Sequence, residues 1–196
     1  TINREIFIMA LTRLGLNQSV NLSSNVTGTL ATGNGGTGAT SFAPGKVLQV
    51  VSSNNTYGMT TSSTSLIDAE SSSGVTWEPT ITPSSSSSKI LFISTVYLTV
   101  AANAQAEGRG TMEVFEKIGS GSYSQIIDNY EGYGFYDYGT HGSWTGKVIA
   151  NTKLRTTNTT DAVKYKFQFR VHNGATSAYF NRDTRESNCV LMEIAG

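Results

Sequence analysis

Val163-Lys164-Tyr165-Lys166-Phe167-Gln168-Phe169-Arg170-Val171 alternates apolar and polar residues without a break. Successive side chains on a strand point to opposite faces. Val163, Tyr165, Phe167, Phe169 and Val171 therefore share one face, and the Lys, Gln and Arg side chains share the other. One face is buried and one is wet, as in an antiparallel sandwich. The stretch Lys89-Ile90-Leu91-Phe92-Ile93-Ser94-Thr95-Val96-Tyr97-Leu98-Thr99-Val100 reads differently. Ile90, Phe92, Val96 and Leu98 fall on one face, while Leu91, Ile93 and Tyr97 fall on the other. A sandwich sheet normally leaves one face to solvent, so the second apolar face needs a cover. Two covers are open. A further copy of the chain makes Leu91, Ile93 and Tyr97 a candidate trimer interface; alternatively, the loop after residue 120 folds across them.

Around these two stretches the pattern predicts more strands at 46–51, 65–69, 110–118, 123–127, 142–150, 177–180 and 190–194, separated by Gly, Ser and Asn turns. In the strand at 110–118, Met112, Val114, Glu116 and Ile118 lie on one face and Glu113, Phe115 and Lys117 on the other. Many short strands with frequent turn signals indicate an all-β antiparallel sandwich or barrel over residues 46–196. Residues 21–45 are rich in Gly, Ser and Thr and poor in large apolar side chains, so they cannot bury a core alone and read as an extended arm. Residues 1–20 are weakly amphipathic, with Ile6, Leu11 and Leu14 at loosely helical spacing. Met9-Ala10-Leu11-Thr12 is a candidate independent start. No helix is expected after residue 20.

The composition excludes several function classes. Charged residues make up only 14% of the 196 residues, and 14 Lys and Arg balance 14 Asp and Glu. Without a positive surplus, counterion release onto a polyanion cannot drive binding, so nucleic acid is not an expected partner. No segment is long enough to insert in a membrane as a helix. The single cysteine, Cys189, lies in an apolar run and reads as a small buried hydrophobe. Gly33-Asn34-Gly35-Gly36-Thr37-Gly38 has the glycine spacing of a dinucleotide loop, but the required strand before it and helix after it are missing, so no cofactor is implied. His141 and His172 stand alone in turn contexts, without a metal-ligand spacing. The carboxylate pairs Glu113/Glu116 and Asp183/Glu186 read as ordinary strand or turn surface. The chain is expected to be non-enzymatic.

One segment is unusually aromatic. Tyr130, Tyr133, Phe135, Tyr136, Asp137, Tyr138, His141 and Trp144 are interleaved with glycines. Aromatic faces stack on sugar rings, and Tyr, Asp and His bond sugar hydroxyls, which makes these candidate receptor-binding residues. The same residue types are enriched where subunits pack together, and both readings stand.

Several short motifs resemble the fibres of tailed phages. Asn25-Val26-Thr27-Gly28-Thr29-Leu30 with Asn34-Gly35-Gly36-Thr37-Gly38-Ala39-Thr40-Ser41 is similar to a motif common in those fibres. Pro83 with its serines and Ser88-Lys89-Ile90-Leu91, then Asp161-Ala162-Val163-Lys164-Tyr165-Lys166-Phe167-Gln168, then Leu191-Met192-Glu193-Ile194-Ala195, resemble the terminal domain of marine-phage fibres, particularly those of cyanobacterial phages. The likeness covers roughly residues 20–50 and 80–196. It implies a homotrimer with a tumour-necrosis-factor-like jelly-roll head at 46–196 and a shaft at 21–45. It also implies a segment at 1–20 that docks on other virion proteins, with Ile6, Leu11 and Leu14 as anchoring residues. The implied place is the virion surface, after synthesis in the bacterial cytoplasm, and the implied role is attachment to a host-surface glycan or protein. The arm is shorter than the anchoring regions of many tail fibres, so a capsid-mounted decoration protein is the alternative. A polysaccharide depolymerase is the least favoured reading.

Overall fold

The computed structural model describes residues 46–102, 108–128, 144–172 and 174–196, all within the unit Gly45–Gly196. The expected shaft and the anchoring residues Ile6, Leu11 and Leu14 lie outside the described residues. Two antiparallel sheets face each other. The first holds β1 (Val47–Asn55), β2 (Met59–Thr61), β7 (Lys89–Ala102), β10 (Trp144–Thr156), β12 (Ala175–Phe180) and β13 (Ser187–Ile194). The second holds β3 (Ile67–Asp68), β6 (Thr80–Ile81), β8 (Arg109–Ile118), β9 (Ser124–Asp128) and β11 (Val163–His172). A small hairpin, β4 (Glu70–Ser72) and β5 (Val75–Thr76), projects between β3 and β6. The long strands run β1-β13-β7-β10 in one sheet and β3/β6-β11-β8-β9 in the other. The chain passes repeatedly from sheet to sheet in the jelly-roll order.

The alternating stretch is the centre of the second sheet. In β11, Val163, Tyr165, Phe167 and Phe169 are fully buried and Val171 nearly so, while every intervening residue is half-buried. Opposite them stand Ile90, Phe92, Val96, Leu98 and Val100 of β7, with Cys189 and Leu191 of β13. Aromatic rings fill the middle. Trp77 stacks on Phe167 with centroids 4.5 Å apart, and Phe92 packs on Tyr165 at 5.0 Å. The Trp77 indole N–H donates to Ser53 Oγ at 2.9 Å, so the ring is buried without leaving its polar atom unsatisfied.

Both central strands have a composite neighbour. β7 pairs with β10 along one edge, while on the other edge β13 covers its first half and β12 its second. At the junction the Asn181 N–H donates to Tyr97 O, and the Tyr97 N–H donates to Ser187 Oγ, both at 3.1 Å. Ser187 in turn donates to Asn181 Oδ1, and Asn181 Nδ2 donates to Asn55 O at 2.8 Å. Both side chains are fully buried, so they replace the ladder bonds the broken edge cannot make. Along β11, the stretch from Ser63 to Ile81 serves likewise, with Ala69 N–H donating to Phe167 O and Pro79 O accepting from Tyr165 N–H.

The strand readings need three physical corrections. The strand expected at 142–150 runs on to Thr156, because it pairs β7 continuously back to Lys89. β2 and the β4–β5 hairpin were not predicted, since strands of two or three residues carry too little periodicity to register. Glu113 and Glu116 are not surface. They are 5% and 3% exposed, and they lie on opposite faces of β8, as residues three apart on a strand must.

Candidate interaction surface

The outer face of the six-stranded sheet follows from its register, because directly paired residues share a face. Across β1, β13, β7 and β10 the rows read Val50–Met192–Leu91–Leu154, then Ser52–Val190–Ile93–Thr152, then Asn54–Asn188–Thr95–Ala150. The next pair is Tyr97–Val148. No charged residue occurs in these rows; Lys89 enters with the row Val47–Ile194–Lys89–Thr156 at one end of the face. Among the described residues, the exposed large hydrophobics are Val47, Leu48, Val50, Val75, Val148 and Leu154. Val47, Val50, Val148 and Leu154 stand on this face, each 49–61% exposed, and Leu48 sits in the adjoining β1 bulge. The clustering separates this patch from the scattered apolar residues any surface carries.

Leu91, Ile93 and Tyr97 therefore do share this outer face, and each is half-buried in the single chain. Tyr97 is partly covered from within. Its ring lies across Gly146, where a Cβ would fall 2.2 Å from the phenol oxygen, and the Arg185 guanidinium sits 4.5 Å above the ring. The loop after residue 120 leads into β9, which pairs β8 in the opposite sheet, so its described part does not cover the face. Tyr130, Tyr133, Phe135, Tyr136, Asp137, Tyr138 and His141 lie outside the described residues. Trp144 opens β10, paired with Ala101. The sequence reading missed Val50, Val148 and Leu154. A period-two count along 142–156 puts Val148 and Leu154 on one face, but it does not reveal that this face is the outer one, because Lys147 and Lys153 take the core-side positions opposite Leu98 and Phe92.

Buried polar clips hold the sheets in position. Glu193, fully buried on β13, accepts from Ser84 N–H and Ser84 Oγ at 2.7 Å each and from Gln49 Nε2 at 2.7 Å. Burial pushes its carboxyl up, but these hydrogen bonds, with help from the Ser88 hydroxyl, prevail and hold it at about 2. The two terminal motifs, Pro83 with its serines and Leu191–Ala195, meet in this clip. Gln49 also donates to Thr82 O at 2.6 Å. On the core side, Arg155 of β10 forms a bidentate pair with Glu116 of β8, at 3.0 and 2.6 Å, joining the two sheets near Tyr165. On the outer side of the second sheet, the Tyr123 hydroxyl donates to Glu78, and Lys164 pairs with Glu78 at 3.0 Å. The phenol donor lowers the Glu78 carboxyl most, burial works against it, and Lys164 adds to the lowering, while burial first and Glu78 second raise the Tyr123 phenol. Lys166 pairs with Asp68 at 2.8 Å and lies 4.6 Å above the Tyr123 ring. This opposite face is thus wet and internally paired, unlike the apolar one. Glu113 is raised chiefly by burial and then by Asp128 beside it, and its strand partner register keeps it apart from Glu116.

Among the described residues, no group of three or more His, Cys, Asp or Glu could hold a metal, and no helix is long and apolar enough to cross a membrane. No family model and no curated protein matches the chain. Among solved structures, the VP2 subviral particle of infectious bursal disease virus is similar over 76% of this chain and 33% of that one, at 12% identity and a TM-score of 0.43. The Gx strain of the same virus is similar over 76% and 32%, at 9% identity and a TM-score of 0.41. The chain spans about a third of the length of these structures. What stands on the chain's own geometry is an all-β antiparallel sandwich of jelly-roll connectivity.

Proposed function

We propose that this chain is a non-catalytic structural protein of a virion, homotrimeric through the outer face of its six-stranded sheet, and that its head attaches the particle to the host surface. The observation that carries the reading is the apolar face centred on Val50, Leu91, Leu154 and Val148, with Lys89 and Arg185 only at its ends. Burying a half-exposed Leu or Val is worth about 1 kcal/mol. Repeated over several residues and three subunits, that is enough to favour a closed assembly. The occupant is a further copy of the chain, because the central rows carry no charge and can pack on a neighbour's apolar surface, and a cyclic arrangement repeats one heterologous contact around a threefold axis. The fibre-like motifs support the virion setting, and two of them, Pro83 with its serines and Leu191–Ala195, meet in the Glu193 clip.

Sedimentation of the purified full chain tests assembly. A trimer is expected, and Val148→Asp with Leu154→Asp should convert it to monomer with unchanged far-ultraviolet circular dichroism. A wild-type monomer at micromolar concentration refutes it. Fluorescently labelled chain applied to a panel of cyanobacterial strains tests attachment. Binding to some strains and not others supports it; a trimer that binds none leaves the decoration role and removes attachment.

A further inference from the structure

We propose that a cleft at the β2–β12 end of the sandwich binds a neutral sugar ring. The cleft has a volume of about 390 Å³ and lies between the β1–β2 turn and the turn that follows β12. That volume is in the range of small-molecule sites. It deepens the attachment reading by naming a ligand class and a place for it apart from the aromatic segment.

The walls are built from behind. Asn181 is fully buried, and its side-chain amide donates to Asn55 O at 2.8 Å and reaches Tyr57 O at 3.4 Å. Asn55 Oδ1 accepts from the Tyr57 N–H at 2.8 Å. These bonds tie both turns to the same buried amide, so the gap between them is preformed. The turns approach so closely that a Cβ on Gly58 would lie 3.3 Å from Asn181 O.

The rim is held in an unusual backbone. Asn181, Asp183 and Thr184 have φ of 50°, 58° and 59°. Asn and Asp visit this left-handed region readily, but a β-branched Thr is an outlier there. The Asn181 conformation serves the β7 junction. The other two lie in the turn that joins β12 to β13, where the Arg185 N–H donates to Arg182 O at 3.3 Å. Thr184 is the strained member of that turn, and residues held in such backbone cluster at ligand clamps and other functional sites.

The lining chemistry selects the ligand. Met59, Tyr179 and Phe180 supply apolar surface, and Thr56, Thr60 and Thr184 supply hydroxyls. The charges cancel: Arg182 lies 3.5 Å from Asp183, and its guanidinium sits 5.5 Å over the Tyr179 ring. With no surplus charge there is no term to favour an anion over water. An apolar wall edged by neutral donors and acceptors suits a ring with one C–H face and several hydroxyls, which is a neutral hexose.

Saturation-transfer NMR on the purified full chain tests the site with methyl glucoside, methyl galactoside, methyl mannoside and, as acidic comparator, N-acetylneuraminic acid. At least one neutral glycoside should bind. Thr60→Trp, which fills the cleft from an exposed position, should abolish the signal. Asp183→Gly, which suits the left-handed backbone while deleting the carboxylate, should weaken binding about tenfold. Both variants should retain the wild-type melting profile. Silence from every neutral glycoside up to roughly 50 mM, where a millimolar site would be saturated, overturns the proposal. So does a preference for the acidic sugar, or binding that survives both substitutions. The assay contains no cells, so strain binding without glycoside binding sinks the cleft alone, and glycoside binding without strain binding sinks attachment alone.

Discussion

Glu193→Gln isolates the clip between β13 and the segment leading into β7. The native carboxylate is fully buried and accepts three hydrogen bonds from Ser84 and Gln49. Its pKa falls from an ordinary 4.5 to about 2. At about 1.4 kcal/mol per unit, that difference corresponds to roughly 3 kcal/mol of folding stability at neutral pH. Glutamine keeps the shape but carries no charge, and it turns an N–H₂ donor toward partners that are themselves donors. The folded-state pKa is depressed, so the contribution is fully present above pH 4.5 and disappears as the pH falls toward 2. Urea unfolding followed by tryptophan fluorescence, at one fixed protein concentration because assembly adds to apparent stability, should place the variant about 3 kcal/mol below wild type at pH 7. The gap should narrow steadily below pH 4.5. A gap that stays constant from pH 7 to pH 3 would refute the reasoning, since the loss would then come from packing and not from the charge.

Two other perturbations probe the sandwich. Arg155→Met leaves the Glu116 carboxylate buried without its bidentate partner, and should cost about 3 kcal/mol in urea unfolding. Replacing both residues, as Glu116→Met with Arg155→Met, should recover much of that loss. Cys189 is fully buried and its thiol is raised by burial, so a disulfide reagent at pH 8 should leave it untouched in the native protein and label it only as fast as the head unfolds.

Legibility varied with how much of each signal is local. The alternation in 163–171 was enough to place five core side chains, because a strand's two-residue period needs no knowledge of its neighbours. The doubly apolar stretch 89–100 likewise announced a second apolar face. It did not announce how wide the face is, because Val50, Met192 and Leu154 join Leu91 only through a register between strands far apart in sequence. Glu116 shows the same limit. It falls on the apolar face of its strand by simple counting, yet its burial depends on Arg155 arriving from the other sheet.

The sequence alone determined the fold class, the burial pattern of the two central strands, the inert cysteine and the lack of surplus charge. These follow from periodicity and composition, which each stretch of chain carries by itself. Tertiary structure decided the jelly-roll order, the Glu193 clip, the extent of the apolar sheet face and the cleft beside Asn181. Each depends on residues that are far apart along the chain, from Leu91 beside Leu154 to Gln49 bonded to Glu193. Such meetings cost loop-closure entropy and form only where the burial and hydrogen bonding gained at the contact exceed it, a balance that no local window contains.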